Sequence, residues 1–115
     1  MSLLASAALD LTKALDDLGI RAVTDPRDLD LPGVYLAPNE ITTTTLDGAG
    51  LAVSWDVYLV APDNGAHIAA LGDLLDRIHP LTIGKKIRPQ GLTLPNISPD
   101  PLPALHFEIE TETTP

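Results

Sequence analysis

The chain has 115 residues, a hydrophobic share of 44% and a formal net charge of −9 at pH 7. This length predicts a single domain over residues 1–115, and the lack of cysteine excludes disulfides, thiol nucleophiles and thiolate metal sites. The negative charge disfavours a direct grip on nucleic-acid phosphates, and no apolar run approaches the ~20 residues that a membrane-spanning helix needs.

Apolar residues recur at spacings of three and four from Leu4 through Ala8, Leu11 and Leu15 to Leu18, which predicts an amphipathic helix over residues 3–18. We interpret this segment as a helix and not a signal peptide, because Asp10 interrupts it and no positive region precedes it. Gly19 is expected to end the helix, since glycine adopts the left-handed conformation cheaply. A short strand over residues 20–23 and two turns, at residues 25–28 and at Pro32-Gly33, should follow.

Two further strands are predicted before the middle of the chain. The first covers residues 34–37, with a turn at Pro38-Asn39 behind it. The second covers residues 40–46, whose four consecutive threonines favour an extended backbone because they are β-branched. Turn residues at 47–50 should join this strand as a hairpin to the next one.

The segment Leu51–Val60 predicts the central strand of the domain. Its odd positions are all large and apolar, whereas most of its even positions are small or polar. Such alternation is typical of a strand buried on one face. Trp55, the only tryptophan in the chain, stands in the middle of the apolar face.

The second half of the chain predicts a helix over residues 65–78, capped by Asp63 or Asn64. Gly72 inside this helix suggests a close approach of the helix to the sheet. The proline-rich residues 80–103 are expected to hold one edge strand, at residues 91–94. The alternation of Leu105, Phe107 and Ile109 with polar residues predicts a last strand beside the central one.

These elements define an α+β fold with a mostly antiparallel, twisted sheet and two α-helices packed on one face. The other face would then stay open, although Tyr35, Tyr58 and Val60 contribute apolar surface to it. Because an open face and free strand edges are a liability for a monomer, we expect a partner subunit.

No catalytic, cofactor-binding or metal-binding site is predicted, and we expect no enzymatic activity. The three histidines, His67, His79 and His106, lie more than ten residues apart, without the spacing of metal ligands. Ser54 and Asp56 share the polar face of the central strand, with His106 on a possible neighbour. A serine in mid-strand nevertheless lacks the strained turn and oxyanion hole that a nucleophile needs.

Two charged groups are candidates for a functional surface. Glu108, Glu110 and Glu112 place three carboxylates on one strand face. This acidic face either is simply solvated or has a function. In the second case it would bind a basic partner or repel nucleic acid. The only basic cluster of the sequence, Lys85, Lys86 and Arg88, could contact this acidic face in a head-to-tail arrangement of subunits. The candidate interface residues are Thr42, Thr43, Thr44, Thr45, Lys85, Lys86 and Arg88.

The order and texture of these elements resemble the tail terminator proteins of long-tailed (siphovirus-type) bacteriophages. The resemblance covers most of the chain. It is carried by the helix ending Leu18-Gly19-Ile20, the segments LPGVYL at 31–36, WDVYLVAP at 55–62 and AALGDLL at 69–75, and the strand opening LPAL at 102–105.

The resemblance implies a structural virion protein that forms a hexameric ring on the tail tube, stops tube polymerisation and joins the tail to the head connector. Its partners would be copies of itself, the tail tube protein and the connector protein, with no membrane and no sequence-specific nucleic-acid binding. It would be assembled in the host cytoplasm. The sign of its charge, and not the resemblance, suggests that the acidic face would suit a lumen through which DNA slides. Alternatives are a head–tail joining or tail completion protein, a cytoplasmic adaptor that binds a basic partner on an open strand edge, and a small enzyme with an unrecognised site.

Overall fold

A computed structural model describes residues 2–43, 50–94 and 100–113. Helix α1 spans Leu3–Asp16 and α2 spans His67–Ile78, and short 3₁₀ helices lie at Pro26–Asp28 and His79–Leu81. The strands are β1 (Ala22–Val23), β2 (Gly33–Thr43), β3 (Leu51–Val60), β4 (Arg88–Leu92) and β5 (Leu102–Thr113). They form one sheet in the order β1-β2-β3-β5-β4, antiparallel except for the β1–β2 pair. The predicted α+β fold is confirmed.

Strand β3 is the centre of the sheet, as its alternation predicts. It pairs along its whole length with β2 on one side and with β5 on the other. Four of its odd-numbered residues, Val53, Trp55, Val57 and Leu59, are at most 1% exposed. The indole N–H of Trp55 donates a hydrogen bond to Thr111 Oγ1 at 2.9 Å, so the largest side chain of the core is buried without losing its polar partner.

Both helices pack on this odd-numbered face, as predicted. Helix α1 buries Ala7, Leu11 and Leu15, and α2 buries Leu71, Leu74 and Ile78, all in one cluster with the β3 residues. Ser2 caps α1, because its Oγ accepts the N–H of Ala5 at 3.1 Å. These helices are 14 and 12 residues long, and no helix in the described part of the chain is long and apolar enough to cross a membrane.

The predicted turn at Pro38-Asn39 is wrong, because β2 continues through it with a bulge between Pro38 and Glu40. The N–H of Ala61 donates to the Pro103 oxygen, so the peptide groups of the odd-numbered β3 residues face β5 and those of the even-numbered residues face β2. Because Pro38 pairs with the odd-numbered Trp55, its nitrogen points away from β3, toward the outer edge of β2. A proline is tolerated there since no ladder bond is lost. The predicted hairpin is confirmed over residues 40–43, whereas 44–49 lie outside the described residues.

Several predicted boundaries shift. Helix α2 begins at His67 and not at residue 65, because Gly65 has a φ of +84° and Asn64 accepts the N–H of Ala66 outside the helix. Strand β1 covers only two residues of the predicted 20–23, and the turn at 25–28 forms a 3₁₀ helix capped by Asp25. The edge strand lies at Arg88–Leu92 in place of 91–94, paired with β5.

The inferred close contact at Gly72 is also wrong, since a Cβ built on Gly72 would meet no atom within 4 Å. Gly19 is equally open, but its φ of +76° is the left-handed conformation expected after a helix. In that conformation the N–H of Ile20 bonds back to the Leu15 oxygen at 3.0 Å.

These two glycines give a matched pair for substitution. Gly72→Ala should raise the free energy of unfolding by about 0.5–1 kcal/mol, because alanine fits the space and favours the helix. Gly19→Ala should lower it by about 1–2 kcal/mol, since alanine resists positive φ. Urea denaturation followed by Trp55 fluorescence measures both changes. A destabilising Gly72→Ala would show that the helix position has no room for a methyl group.

Candidate functional site

The even-numbered residues of β3 lie on the second face of the sheet, away from the helices. One end of this face is covered by the chain itself. A second apolar cluster buries Val60 with Leu94, Leu102 and Ala104, and packs against it Leu29, Leu31, Tyr35, Tyr58 and Leu92. The prediction of an open face is therefore wrong at this end, because the loops before β2 and after β4 fold over the two tyrosines.

Beyond that cluster the second face is polar. Glu108, Glu110 and Glu112 lie side by side on β5 and are all exposed, so the predicted acidic face exists as a geometric feature. Glu40 and Thr42 of β2 are exposed on the same face, and together with Ser54 and Glu110 they line a hollow of about 400 Å³. Thr43 is exposed at the end of β2, whereas Thr44 and Thr45 lie outside the described residues.

Four polar side chains from three neighbouring strands meet at the centre of this face. Asp56 and Glu108 are directly opposite each other on β3 and β5. His106 Nε2 lies 2.8 Å from Asp56 Oδ1, and both side chains are only about one-fifth exposed, at 20% and 21%. Asn39, the bulged residue of β2, donates its amide to Glu108 Oε1 at 3.1 Å and to Asp56 Oδ1 at 3.4 Å. We call these four residues the central cluster.

An aromatic stack separates the central cluster from the apolar end. The rings of Tyr35 and Tyr58 stack with centroids 6.0 Å apart, and the Tyr58 ring lies 5.0 Å from that of His106. Burial is the main cause that raises the pKa of Tyr58, and the negative charge of Asp56 and the neighbouring Tyr35 raise it further. The phenol therefore favours its neutral form in the folded protein.

The basic cluster of the sequence, which we call the basic loop although Arg88 begins β4, lies beside the central cluster. Lys85, Lys86 and Arg88 line a hollow of about 420 Å³ together with His106, Phe107 and Glu108. All three basic side chains are exposed, and within residues 2–43, 50–94 and 100–113 none of them forms an ion pair. One chain thus places its positive loop next to its acidic face, although the expected contact was between two subunits.

The arrangement does not form a hydrolytic triad. Ser54 stands opposite Glu110, four residues along β3 from Tyr58, the residue that faces His106. That separation is roughly 13 Å of strand, too far for a hydrogen bond between serine and imidazole. The remaining histidines do not join the site either. His67 and His79 belong to α2 and its 3₁₀ extension on the helical side of the sheet.

Two stretches of sheet edge have no strand partner in the part of the chain that the structure describes. Strand β1 covers only Val34 and Tyr35 of β2, and β4 covers β5 only as far as His106. Along these stretches, the peptide groups that point away from β3 follow from the alternation set by the bond between Ala61 and Pro103. They belong to Ile41 and Thr43 on β2 and to Glu108, Glu110 and Glu112 on β5.

Sequence reasoning found the strands that carry the central cluster but missed Asn39, which it assigned to a turn.

Comparison with known proteins found no protein family that matches this sequence and no significant match among curated proteins.

The raised pKa of Tyr58 predicts a stability that falls at alkaline pH. The folded chain keeps the phenol proton where the unfolded chain loses it, so this contribution is complete below the ordinary value of 10.0 and is lost as the pH rises above it. In Tyr35→Phe, where Tyr58 is the only tyrosine, the phenolate absorbance should titrate with a midpoint above 10.0. Adding Asp56→Asn should lower that midpoint, and the same protein in urea should titrate near the ordinary value. Equal midpoints with and without urea would contradict the prediction.

Proposed function

We propose that this protein is a structural component of a bacteriophage tail, a tail terminator that forms a ring at the head-proximal end of the tail tube. In this role it ends tube polymerisation, provides the surface that joins the head connector, and performs no chemistry. The proposal combines the resemblance in segment order with one feature of the fold, the pair of strand edges that have no strand partner among the described residues and that we call the free edges.

The two free edges lie at the same level of the sheet. Glu40 and Glu110 both pair with Ser54, and Thr43 and Thr113 both pair with Leu51. Because β2 and β5 are each antiparallel to β3, they run parallel to each other. The β5 edge of one copy can therefore accept the β2 edge of the next without reversing direction. Such a head-to-tail contact, repeated by rotation, closes into a ring.

The charge of the second face suits a channel for DNA. Three exposed glutamates of β5 and Glu40 of β2 share it, on a chain whose net charge is −9. A lumen lined by carboxylates repels phosphates, so DNA would pass without binding. This step rests on the sign of the charge and on no sequence-specific contact.

The basic loop is the candidate for a second contact between copies. Lys85, Lys86 and Arg88 form no ion pair with any described residue of their own chain, so they are available to the acidic face of a neighbouring copy. In this proposal, Thr42 and Thr43 of β2 and the basic loop form opposite sides of the subunit contact, and the interface candidates Thr44 and Thr45 lie outside the described residues.

Two other functions use the same features. A head–tail joining or tail completion protein would also form a ring but would bind the connector without capping isolated tail tubes. A cytoplasmic adaptor would remain a monomer and would bind a basic peptide along the β5 edge, next to Glu108, Glu110 and Glu112. The free edge favours the adaptor as second candidate, since an added strand pairs with such an edge by main-chain hydrogen bonds.

Light scattering of the purified protein, and electron microscopy of it mixed with tail tubes, separate these functions. A tail terminator gives a ring-sized particle, alone or on the tube, and tubes that stop growing when it is added. Rings that never cap tubes favour the joining protein. A persistent monomer that leaves tube growth unchanged would overturn the proposal.

A substitution at the β5 edge tests the contact itself. The outward N–H of Glu110 is not part of the β3–β5 ladder, so Glu110→Pro should block strand addition and reduce the particle to a monomer while the monomer stays folded. Glu110→Gln is the matched control, because it removes the same charge but keeps the N–H, and it should still assemble. Circular dichroism and thermal unfolding check the fold of both variants. Assembly by Glu110→Pro at the wild-type level would contradict an edge-to-edge contact.

Charge reversal tests the basic loop separately. Lys85→Glu together with Lys86→Glu should weaken assembly and change its dependence on salt, because the acidic face would then repel the loop. Lys13→Glu on α1, away from the second face, serves as the control. Unchanged assembly and salt dependence in the double variant would remove the loop from the interface.

A further inference from the structure

The central cluster has the composition of a metal-binding site. One ligand atom from each of Asp56, His106 and Glu108 can be chosen so that all three lie within 4.8 Å of one another. These atoms come from two adjacent strands at the centre of the sheet, and a hollow of about 420 Å³ borders His106 and Glu108. An ion and its water ligands therefore have a route to the cluster.

The register creates an excess of negative charge at this point. Asp56 and Glu108 stand directly opposite each other, and like charges in that position destabilise a sheet. Within the described residues no lysine or arginine lies within ion-pair distance of either carboxylate. Asn39 offers both of them only the dipole of an amide. A bound cation would neutralise the pair.

We propose that Asp56, His106 and Glu108 bind one divalent transition-metal ion of the zinc class. An imidazole nitrogen with two carboxylate oxygens is a ligand set that suits Zn²⁺, whereas Mg²⁺ and Ca²⁺ prefer oxygen alone. His106 would coordinate through Nε2, the atom that now lies 2.8 Å from Asp56 Oδ1, and a proton carried by that nitrogen would move to Nδ1 or leave to solvent. Water would fill the remaining position, on the side of the hollow.

Asn39 would hold a ligand in place without touching the ion. Its amide donates to Glu108 Oε1 at 3.1 Å, which leaves the other oxygen of that carboxylate for coordination. Such supporting hydrogen bonds orient metal ligands. The bulge in β2 is what brings Asn39 to this position.

The basic loop opposes a cation and limits the affinity of the site. Lys85, Lys86 and Arg88 line the same hollow, but their side chains are exposed, so water and salt screen their charges. All proposed ligands belong to one chain. The site therefore does not depend on the ring, and the two proposals can fail separately.

Isothermal titration of the full-length protein with ZnCl₂ tests the site. The wild-type chain should bind one equivalent, and His106→Gln and Asp56→Asn should each weaken binding by about tenfold or more. His79→Gln and Glu112→Gln are the matched controls, because each removes the same functional group elsewhere in the chain, and both should bind as wild type does. No binding by the wild type, or equal binding by His106→Gln, would overturn the proposal.

A second measurement uses only the wild-type protein, so its result does not depend on how well the variants fold. Mn²⁺, a paramagnetic substitute for the same ligand set, should broaden the NMR signals of wild-type residues around Asn39, Asp56, His106 and Glu108 first. Excess ZnCl₂ should restore those signals by displacing the Mn²⁺. Broadening that centres on the outer glutamates, Glu110 and Glu112, or on α2, would assign the ion to a different place and overturn the proposal.

Discussion

The alternation of β3 is the constraint on which the rest of the structure depends. Its odd-numbered side chains are enclosed by both helices, and its even-numbered side chains pass from an apolar end to a polar centre. Because both neighbours pair with β3 along its length, they inherit this division residue by residue. Trp55 links the burial of the odd-numbered face to the pairing register. Its ring fills the core, and its N–H finds its acceptor, Thr111, only when β5 pairs with β3 in this register.

The bulge at Asn39 is the one place where β2 departs from that division, and the departure is useful. Before the bulge, odd-numbered β2 residues share the second face, and after it the even-numbered ones do. Without the extra residue, Glu40 would turn toward the helices and Ile41 toward the acidic face. The bulge thus keeps a charge off the helical face of the sheet and aims an amide at two carboxylates.

The sequence was sufficient for the features that rest on periodicity. The alternation of β3 and β5 and the helical spacing of leucines predict the sheet, the helices and the shared face. It was insufficient for Pro38, which predicts a turn but is accommodated within a strand because its nitrogen faces the unpaired edge. It was also insufficient for Gly72, where the structure shows no close contact that would require glycine. The central cluster draws on residues 39, 56, 106 and 108, and only the pairing register makes them neighbours. Strand alternation alone placed Asp56 and His106 on one face, but no local signal marks a bulge at Asn39.

The chain's coverage of its own second face changes the physical basis for assembly. The sequence predicts a partner for the apolar residues Tyr35, Tyr58 and Val60, but these residues pack against loops of the same chain. What remains exposed there is polar, and burial of polar surface supplies little hydrophobic free energy. A subunit contact must therefore draw on main-chain hydrogen bonds at the strand edges, each of modest net strength. Such contacts become stable when several close a ring, because the last subunit is then held on both sides. In the proposed ring, copies of such a fold would therefore assemble most readily where a template, such as the end of the tube, holds the first of them together.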